Sequence, residues 1–319
     1  MISSVALAVV LGLALIGAIA ALVFTEVRSR SGVPPRPAPA AVTGRDALNV
    51  IDLGLRSLAA ECMRAGRALP DVYAVVLSGD RLTLRLSGAD PEAPPPWTTD
   101  DSGEEWSAGP AQLGGTDLGV ASDAAHPYAL TVTIGLDRSD RVMVELSRAS
   151  AAISVTGDGG DVRKLVRALV AELITGPVGR HAEVTLVGSA ATAEMTLGLG
   201  LQSTRLHTVA TLREALAQES ADARASAASG AASPVTQVFR LIEGSSPVIV
   251  QGRAPRLFVL DAAQFRDEKE AMTHLNATDA LLVLGDVPDY GWRFRIGDDG
   301  SLDTGPLGLR VGVHAGRLS

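Results

Sequence analysis

The sequence predicts an α/β protein in which an N-terminal transmembrane helix precedes a mainly parallel sheet with flanking β-hairpins. Three observations predict this class. Residues 5–24 are an uninterrupted apolar run. From residue 127 onward, β-rich runs alternate with amphipathic helical patterns, which favours parallel strands joined by helices. Hairpin signals lie near both ends of the remaining chain, at residues 78–80 (SGD) and 298–300 (DDG).

The apolar run at residues 5–24 has the length that a helix needs to cross a bilayer, about 20 residues. No basic residue precedes it, whereas arginines follow at positions 28, 30, 36 and 45. Because positive charge stays on the cytoplasmic side, we expect the N-terminus outside and the bulk of the chain in the cytoplasm. A cleaved signal peptide is the alternative, but the basic region that begins such peptides is missing. Small residues four apart in this run are compatible with a homodimer in the membrane.

Composition divides the chain into four segments. We expect a transmembrane anchor at 1–27, a Pro/Ala-rich linker at 28–44, a helix plus β-hairpin subdomain with an acidic loop at 45–126, and the α/β domain at 127–319. The net charge of −8 argues against a nucleic-acid partner. The single cysteine, Cys62, excludes an internal disulfide and fits a small buried hydrophobic residue of the first helix.

The segment ISVTGDGGDVRKLVRALVAEL, residues 153–173, is the strongest candidate for a binding site. It combines an apolar strand, a glycine turn and an amphipathic helix, the layout that cradles phosphates in many nucleotide-binding proteins. A P-loop requires the spacing G-x-x-x-x-G-K-[ST]. Counted from Gly157, that spacing places Val162 at the second glycine, Arg163 at the lysine and Lys164 at the hydroxyl residue. The segment therefore lacks the P-loop signature.

Two interpretations of this segment remain. In the first, Gly159 and Gly160 form a tight turn, Asp161 caps the helix, and the loop is purely structural. In the second, the loop binds an anion or a nucleotide weakly, through Gly157, Gly159, Gly160, Arg163 and Lys164. The aspartates at 158 and 161 favour the first, because they place negative charge where phosphates would sit.

The remaining motifs assign no catalytic residue. The segment RLFVLD at 256–261 looks like a Walker B strand ending in Asp261, yet any parallel strand can end in an aspartate that caps the next helix. The five histidines are scattered, which gives no zinc-binding spacing, and no G-x-S-x-G elbow occurs. We therefore expect no enzyme activity, no metal and no cofactor.

Four segments carry a family resemblance: residues 142–177, HAEVTLVG at 181–188, LHTVATLREALAQ at 206–218, and DALLVLGDVPDYGWRFRIGDDGSL at 279–302. Together they resemble the central region of large actinobacterial membrane proteins that combine transmembrane helices, a LysM module and a bacterial transcriptional activator domain. The order of elements also resembles FtsK-type and type VII secretion ATPase modules, with GDGGDVRK in place of the P-loop. This second resemblance implies a degenerate P-loop-NTPase-like sheet, and it carries no catalytic residue onto this chain.

These expectations lead to one main hypothesis and two alternatives. The main hypothesis is a single-pass cell-membrane protein, in contact with the lipid bilayer through residues 5–24. Its non-catalytic cytoplasmic α/β domain acts as a scaffold or regulatory interaction module for an unidentified protein partner. The alternatives are a weak nucleotide-binding sensor and, if the orientation is reversed, an extracytoplasmic domain of the cell envelope.

Overall fold

The computed structural model describes residues 44–115, 117–118, 126–196, 198, 204–218, 236–240 and 248–312, all within the unit Pro39–Ser319. The predicted anchor and nearly all of the predicted linker lie outside these residues. Across the ranges just given, no helix combines the length and the apolar character needed to cross a membrane.

The described helices are α1 (Arg45–Arg64), α2 (Pro110–Leu113), α3 (Gly159–Thr175), α4 (Ala193–Thr196), α5 (212–218), α6 (Ala262–Asp267) and α7 (Lys269–Met272). The first eight strands are β1 (Val72–Leu77), β2 (Leu82–Leu86), β3 (Thr98–Thr99), β4 (Glu105–Ala108), β5 (Thr131–Asp137), β6 (Asp140–Glu145), β7 (Ala152–Thr156) and β8 (Glu183–Val187). The remaining strands are β9 (Leu206–Val209), β10 (Thr236–Arg240), β11 (Val248–Gly252), β12 (Arg256–Asp261), β13 (Ala280–Leu284), β14 (Tyr290–Ile296), β15 (Ser301–Asp303) and β16 (Arg310–Gly312).

Fourteen of these strands form one mixed sheet in the order β3-β4-β2-β1-β6-β5-β16-β15-β14-β7-β13-β12-β8-β9, and β10 and β11 form a separate antiparallel pair. Neighbours from β14 to β9 pair in parallel. Neighbours from β3 to β14 pair antiparallel. The expectation of a mainly parallel sheet is therefore wrong for the sheet as a whole.

The hairpins account for this difference. The predicted hairpin turns form: the Ser78 N–H donates to Arg81 O at 2.9 Å, and the Gly297 N–H donates to Ser301 O at 2.8 Å. The hairpins extend the sheet because β16 pairs with β5, at Gly312 opposite Leu136, and β1 pairs with β6. The sheet therefore runs continuously across the boundary expected between residues 126 and 127.

Helices cover both faces of the parallel strands, as the alternation of side chains along β12 shows. Leu257 and Val259 belong to a core shared with α3, whereas Phe258 and Leu260 belong to a core shared with α5, α6 and α7. Successive side chains of a strand point to opposite faces, so burial of both sets requires a layer of helices on each side. The expected α/β layering is confirmed for this part of the sheet.

A separate core lies under α1. Ile51, Leu55, Leu58 and Cys62 recur at three- and four-residue spacing along α1, and all four are fully buried against β1, β2 and β4. Burial raises the pKa of the Cys62 thiol to about 12. The thiol therefore behaves as a small apolar group, as the sequence indicates.

Candidate functional site

The candidate site lies at the carboxyl ends of the parallel strands. In spatial order these strands are β14-β7-β13-β12-β8-β9. After β7 the chain continues to β8 on one side, whereas after β13 it continues to β14 on the other side of β7. Connections that leave two neighbouring strands in opposite directions open a crevice, and ligands of α/β sheets bind in such crevices. The loop predicted from the sequence, residues 157–164, starts at this crevice.

Gly157 allows the chain to turn out of β7. Its φ of 140° lies in a region that residues with a side chain rarely adopt. A Cβ at this position would lie 2.9 Å from the carbonyl oxygen of Ile296 on β14. The glycine is therefore required by the close approach of β14, and this requirement explains the residue without a ligand.

Asp158, not Asp161, caps the following helix. The Asp158 Oδ1 accepts hydrogen bonds from the N–H groups of Gly160 at 2.8 Å and Asp161 at 3.3 Å. The helix accordingly begins at Gly159, so Gly159 and Gly160 form its first turn instead of the tight turn expected from the sequence. The carboxylate satisfies two of the N–H groups that an anion at a helix N-terminus would use.

The two cations of the loop pair with carboxylates of the same chain. Lys164 Nζ lies 2.8 Å from Asp161 Oδ1, and this hydrogen bond, followed by the charge of Asp161, raises the pKa of Lys164. Arg163 Nε lies 3.7 Å from Glu194 Oε2 on α4. All four side chains are about half exposed or more, so these pairs are easily opened by solvent.

The aspartate of the Walker-B-like strand also has a structural role. The Asp261 Oδ1 accepts hydrogen bonds from the N–H groups of Ala263 and Gln264, both at 2.8 Å, and so caps α6. Its Oδ2 accepts a hydrogen bond from the Ser189 hydroxyl. Burial alone would raise the pKa of Asp261, but the hydrogen bonds from Ser189 and the backbone outweigh it and lower the pKa.

Other hydrogen bonds tie the ends of the strands together. Gly285, which follows β13, donates its N–H to Val155 O on β7 at 2.9 Å, and the Ser154 hydroxyl donates to Gly285 O at 2.8 Å. Farther along the edge, Gln264 Nε2 donates to Ala210 O at 3.0 Å, after β9. These links hold the strand ends without a bound group.

The structure thus brings together Gly157, Gly159, Gly160, Arg163 and Lys164, with Asp261 two strands away. The sequence does not predict the roles of Ser189 and Gln264. The partner of Ser189 is Asp261, 72 residues away, and Gln264 bridges to Ala210, so neither contact leaves a local pattern.

Over the described part of the chain, no group of three or more His, Cys, Asp or Glu residues could hold a metal ion.

The chain matches no model of a known protein family and no curated protein. Among solved structures, it is similar to the cytoplasmic domain of EssC with a TM-score of 0.35 and 11% identity, over 57% of this chain and 42% of that chain. It is also similar to the pCW3 conjugation coupling protein TcpA, solved with ATPγS, with a TM-score of 0.29 and 11% identity, over 77% of this chain and 83% of that chain.

The chain spans less than half of the EssC domain that it matches. The likeness to these two structures is distant. At 11% identity and with TM-scores below 0.5, this likeness assigns neither a role to any residue of the site nor an activity to the chain. The resemblance to proteins with LysM and transcriptional activator domains stays a prediction.

Proposed function

We propose that this chain is a single-pass membrane protein whose cytoplasmic α/β domain acts as a non-catalytic scaffold or regulatory interaction module. One observation carries the proposal: the Asp158 carboxylate caps α3 at the place where a nucleotide-binding loop holds phosphate. The proposed membrane attachment rests on the apolar run 5–24 and on the arginines that follow it.

Electrostatics favours this function over the weak nucleotide sensor. A bound phosphate would have to displace Asp158 from two backbone N–H groups and would then lie close to Asp158 and Asp161. Like charges at such short range repel each other. The cations that could offset this repulsion, Arg163 and Lys164, lie beside Glu194 and Asp161. Together with Asp158 these side chains carry a net negative charge even when the pairs open.

Thermal unfolding with nucleotides tests the non-catalytic part of the proposal. The full-length chain would be titrated with ATP, GTP and NAD up to millimolar concentration in the presence of Mg²⁺, and the Tm measured. A ligand at 100 times its Kd adds about 2.7 kcal/mol to the free energy of unfolding. We expect no shift. A saturable upward shift that Lys164→Ala abolishes would instead support the nucleotide sensor.

The orientation needs a separate test. A periplasmic phosphatase reporter fused after residue 30 should be inactive if the bulk of the chain is cytoplasmic, and a fluorescent protein fused there should fold. An active phosphatase would support the extracytoplasmic alternative. Site-specific photo-crosslinking of the membrane-bound chain would then report whether the domain contacts a partner protein, and a chain that crosslinks to no protein would contradict the scaffold role.

A further inference from the structure

A cavity of about 390 Å³ lies at the edge of the sheet opposite the candidate crevice. Its walls are formed by the segment that leads into β7, by the start of β13, and by the helices α6 and α7. This volume falls within the range of small-molecule sites, roughly 300–1,000 Å³. None of the residues that form the hydrogen bonds at the carboxyl edge lines the cavity, so the cavity is separate from the site described above.

The lining of the cavity combines apolar side chains with polar ones, among them Ser147 and Ser150. Phe265 and Leu281 are buried in the core that α6 and α7 share with the sheet, and Met272 and Leu275 pack against the same core. All four line the cavity, together with small residues from the segment before β7. These four side chains favour a ligand that can bury an apolar group against them.

The charges of the lining are balanced. Asp279 Oδ2 lies 3.1 Å from Arg256 Nη2 behind the wall and accepts a hydrogen bond from the Asn276 N–H at 3.0 Å, so the charge of Asp279 is offset within the protein. Lys269 and Asp289 form the other pair, and more than half of each side chain is exposed to solvent. An ion pair with this exposure contributes little to stability, so it opens easily for a ligand.

The Lys269–Asp289 pair selects the charge type of the ligand. A bound ligand displaces solvent from both side chains, so a lone carboxylate would leave Asp289 desolvated and unpaired. A lone amine would leave Lys269 in the same state. A zwitterion pairs with both side chains at once. We propose that the cavity binds a small zwitterion with an apolar side chain, that is, a free apolar or aromatic α-amino acid, with its carboxylate at Lys269 and its ammonium at Asp289.

Equilibrium dialysis of the full-length chain with radiolabelled L-phenylalanine tests this proposal. Three competitors each lack one feature of the proposed ligand. The compound 3-phenylpropanoate lacks the ammonium group, 2-phenylethylamine lacks the carboxylate, and glycine lacks the apolar side chain. We expect saturable binding at one site per chain, with each competitor at least about tenfold weaker than unlabelled L-phenylalanine. Absence of saturable binding, or competition by any of the three as effective as that of L-phenylalanine, would overturn the proposal.

Two neighbouring substitutions locate the site. Ala277 and Thr278 are both exposed on the same turn, but only Ala277 lines the cavity. Ala277→Phe should weaken L-phenylalanine binding at least about tenfold by filling the cavity, and Thr278→Phe should leave it unchanged. Lys269→Met removes the partner of the carboxylate, so 2-phenylethylamine should compete better, relative to unlabelled L-phenylalanine, than it does in the wild type. Undiminished binding in a folded Ala277→Phe variant would contradict the site, and it would leave the proposed scaffold function untouched.

Discussion

Asp158 Oδ1 accepts a hydrogen bond of 2.8 Å from the backbone N–H of Gly160, so a carboxylate of the chain itself stands at the N-terminus of α3. This contact distinguishes the loop after β7 from a phosphate-binding loop with the same strand-turn-helix layout. The helix keeps the positive end of its dipole, and the negative charge that this end favours is built into the protein. A phosphate at this end of the helix would have to replace the Asp158 carboxylate.

The first prediction concerns this cap. Asp158→Ala should lower the free energy of unfolding by about 1 kcal/mol, because two N–H groups of α3 lose their acceptor. Asp158→Asn keeps an oxygen that can accept these hydrogen bonds and should cost less. Urea unfolding followed by tryptophan fluorescence measures both variants. A larger loss in the asparagine variant would show that the cap is not the source of the effect.

The second prediction separates two glycines of the same loop. Gly157→Ala should destabilise the fold by about 1–3 kcal/mol, because its φ is positive and the new Cβ would lie 2.9 Å from Ile296 O. Gly159→Ala is the matched control, since its Cβ would meet only the Arg163 side chain at 3.6 Å and alanine favours the helix. Equal unfolding midpoints for the two variants would contradict the structure at Gly157.

The third prediction concerns Arg205, which follows α3 in the chain and closes its C-terminal end. Its guanidinium donates to four backbone carbonyls in and after this helix, those of Leu173, Ile174, Gly179 and Ala182. Arg205→Lys keeps the charge but cannot reproduce this planar fork of donors, so it should still lose about 1.5–3 kcal/mol of stability. Hydrogen exchange should show the loss first at the last turn of α3. Protection equal to that of the wild type would rule out this capping role.

The fourth prediction concerns pH. His126 is buried, and burial together with the charge of Arg56 holds its pKa well below the ordinary value. In the unfolded chain the His126 imidazole binds a proton near pH 6.5, whereas in the folded chain it stays neutral at this pH. The free energy of unfolding is therefore retained above pH 6.5 and falls below it, by about 1.4 kcal/mol per pH unit.

His126→Asn is the control for this pH dependence. Its side-chain oxygen can accept the hydrogen bond that Tyr128 N–H donates to His126 Nδ1 at 3.0 Å, but it does not titrate. Urea unfolding between pH 7.5 and 5 should show the loss in the wild type relative to this variant. The buried carboxyl groups of Asp52, Glu145 and Glu172 are common to both chains and cancel in the comparison. Parallel curves for the two chains would contradict the prediction.

The fifth prediction concerns Cys62. Its thiol is fully buried and its pKa is raised to about 12, so at pH 8 the thiolate fraction is on the order of 10³ lower than for an exposed cysteine. A thiol reagent should therefore label the native chain only as fast as the chain opens. A Cys62→Ala, Thr208→Cys double variant provides an exposed cysteine on the edge strand β9, and it should react immediately. Rapid labelling of Cys62 in the native chain would contradict its burial.

Local patterns in the sequence predict much of the architecture. The apolar spacing of Leu165, Leu169 and Leu173 predicts the buried face of α3, and all three are buried. Thr211 and Glu214 predict the start of α5, and the Glu214 N–H does donate to Thr211 Oγ1 at 3.1 Å. Such features depend on residues three or four apart, so periodicity and capping chemistry suffice to predict them.

The join between the hairpins and the parallel strands is not visible in local patterns. An antiparallel pair such as β5 and β6 looks the same in sequence whether it flanks a sheet or extends it. The pairing of β16 with β5 connects residues more than 170 positions apart, and it makes the sheet mixed instead of mainly parallel. His207 illustrates the same limit, since the sequence places it between elements and the structure places it on β9.

Residue spacing alone shows that the loop at 157–164 lacks the lysine and the hydroxyl of a P-loop at the required positions. Which contacts the loop makes instead depends on the folded chain. Asp158 caps α3, Glu194 faces Arg163, and β14 fixes Gly157. The contacts of Arg163 with Glu194 and of Gly157 with β14 join residues that are distant in the chain and adjacent only after folding. Their energies therefore depend on tertiary packing, which local sequence patterns do not predict.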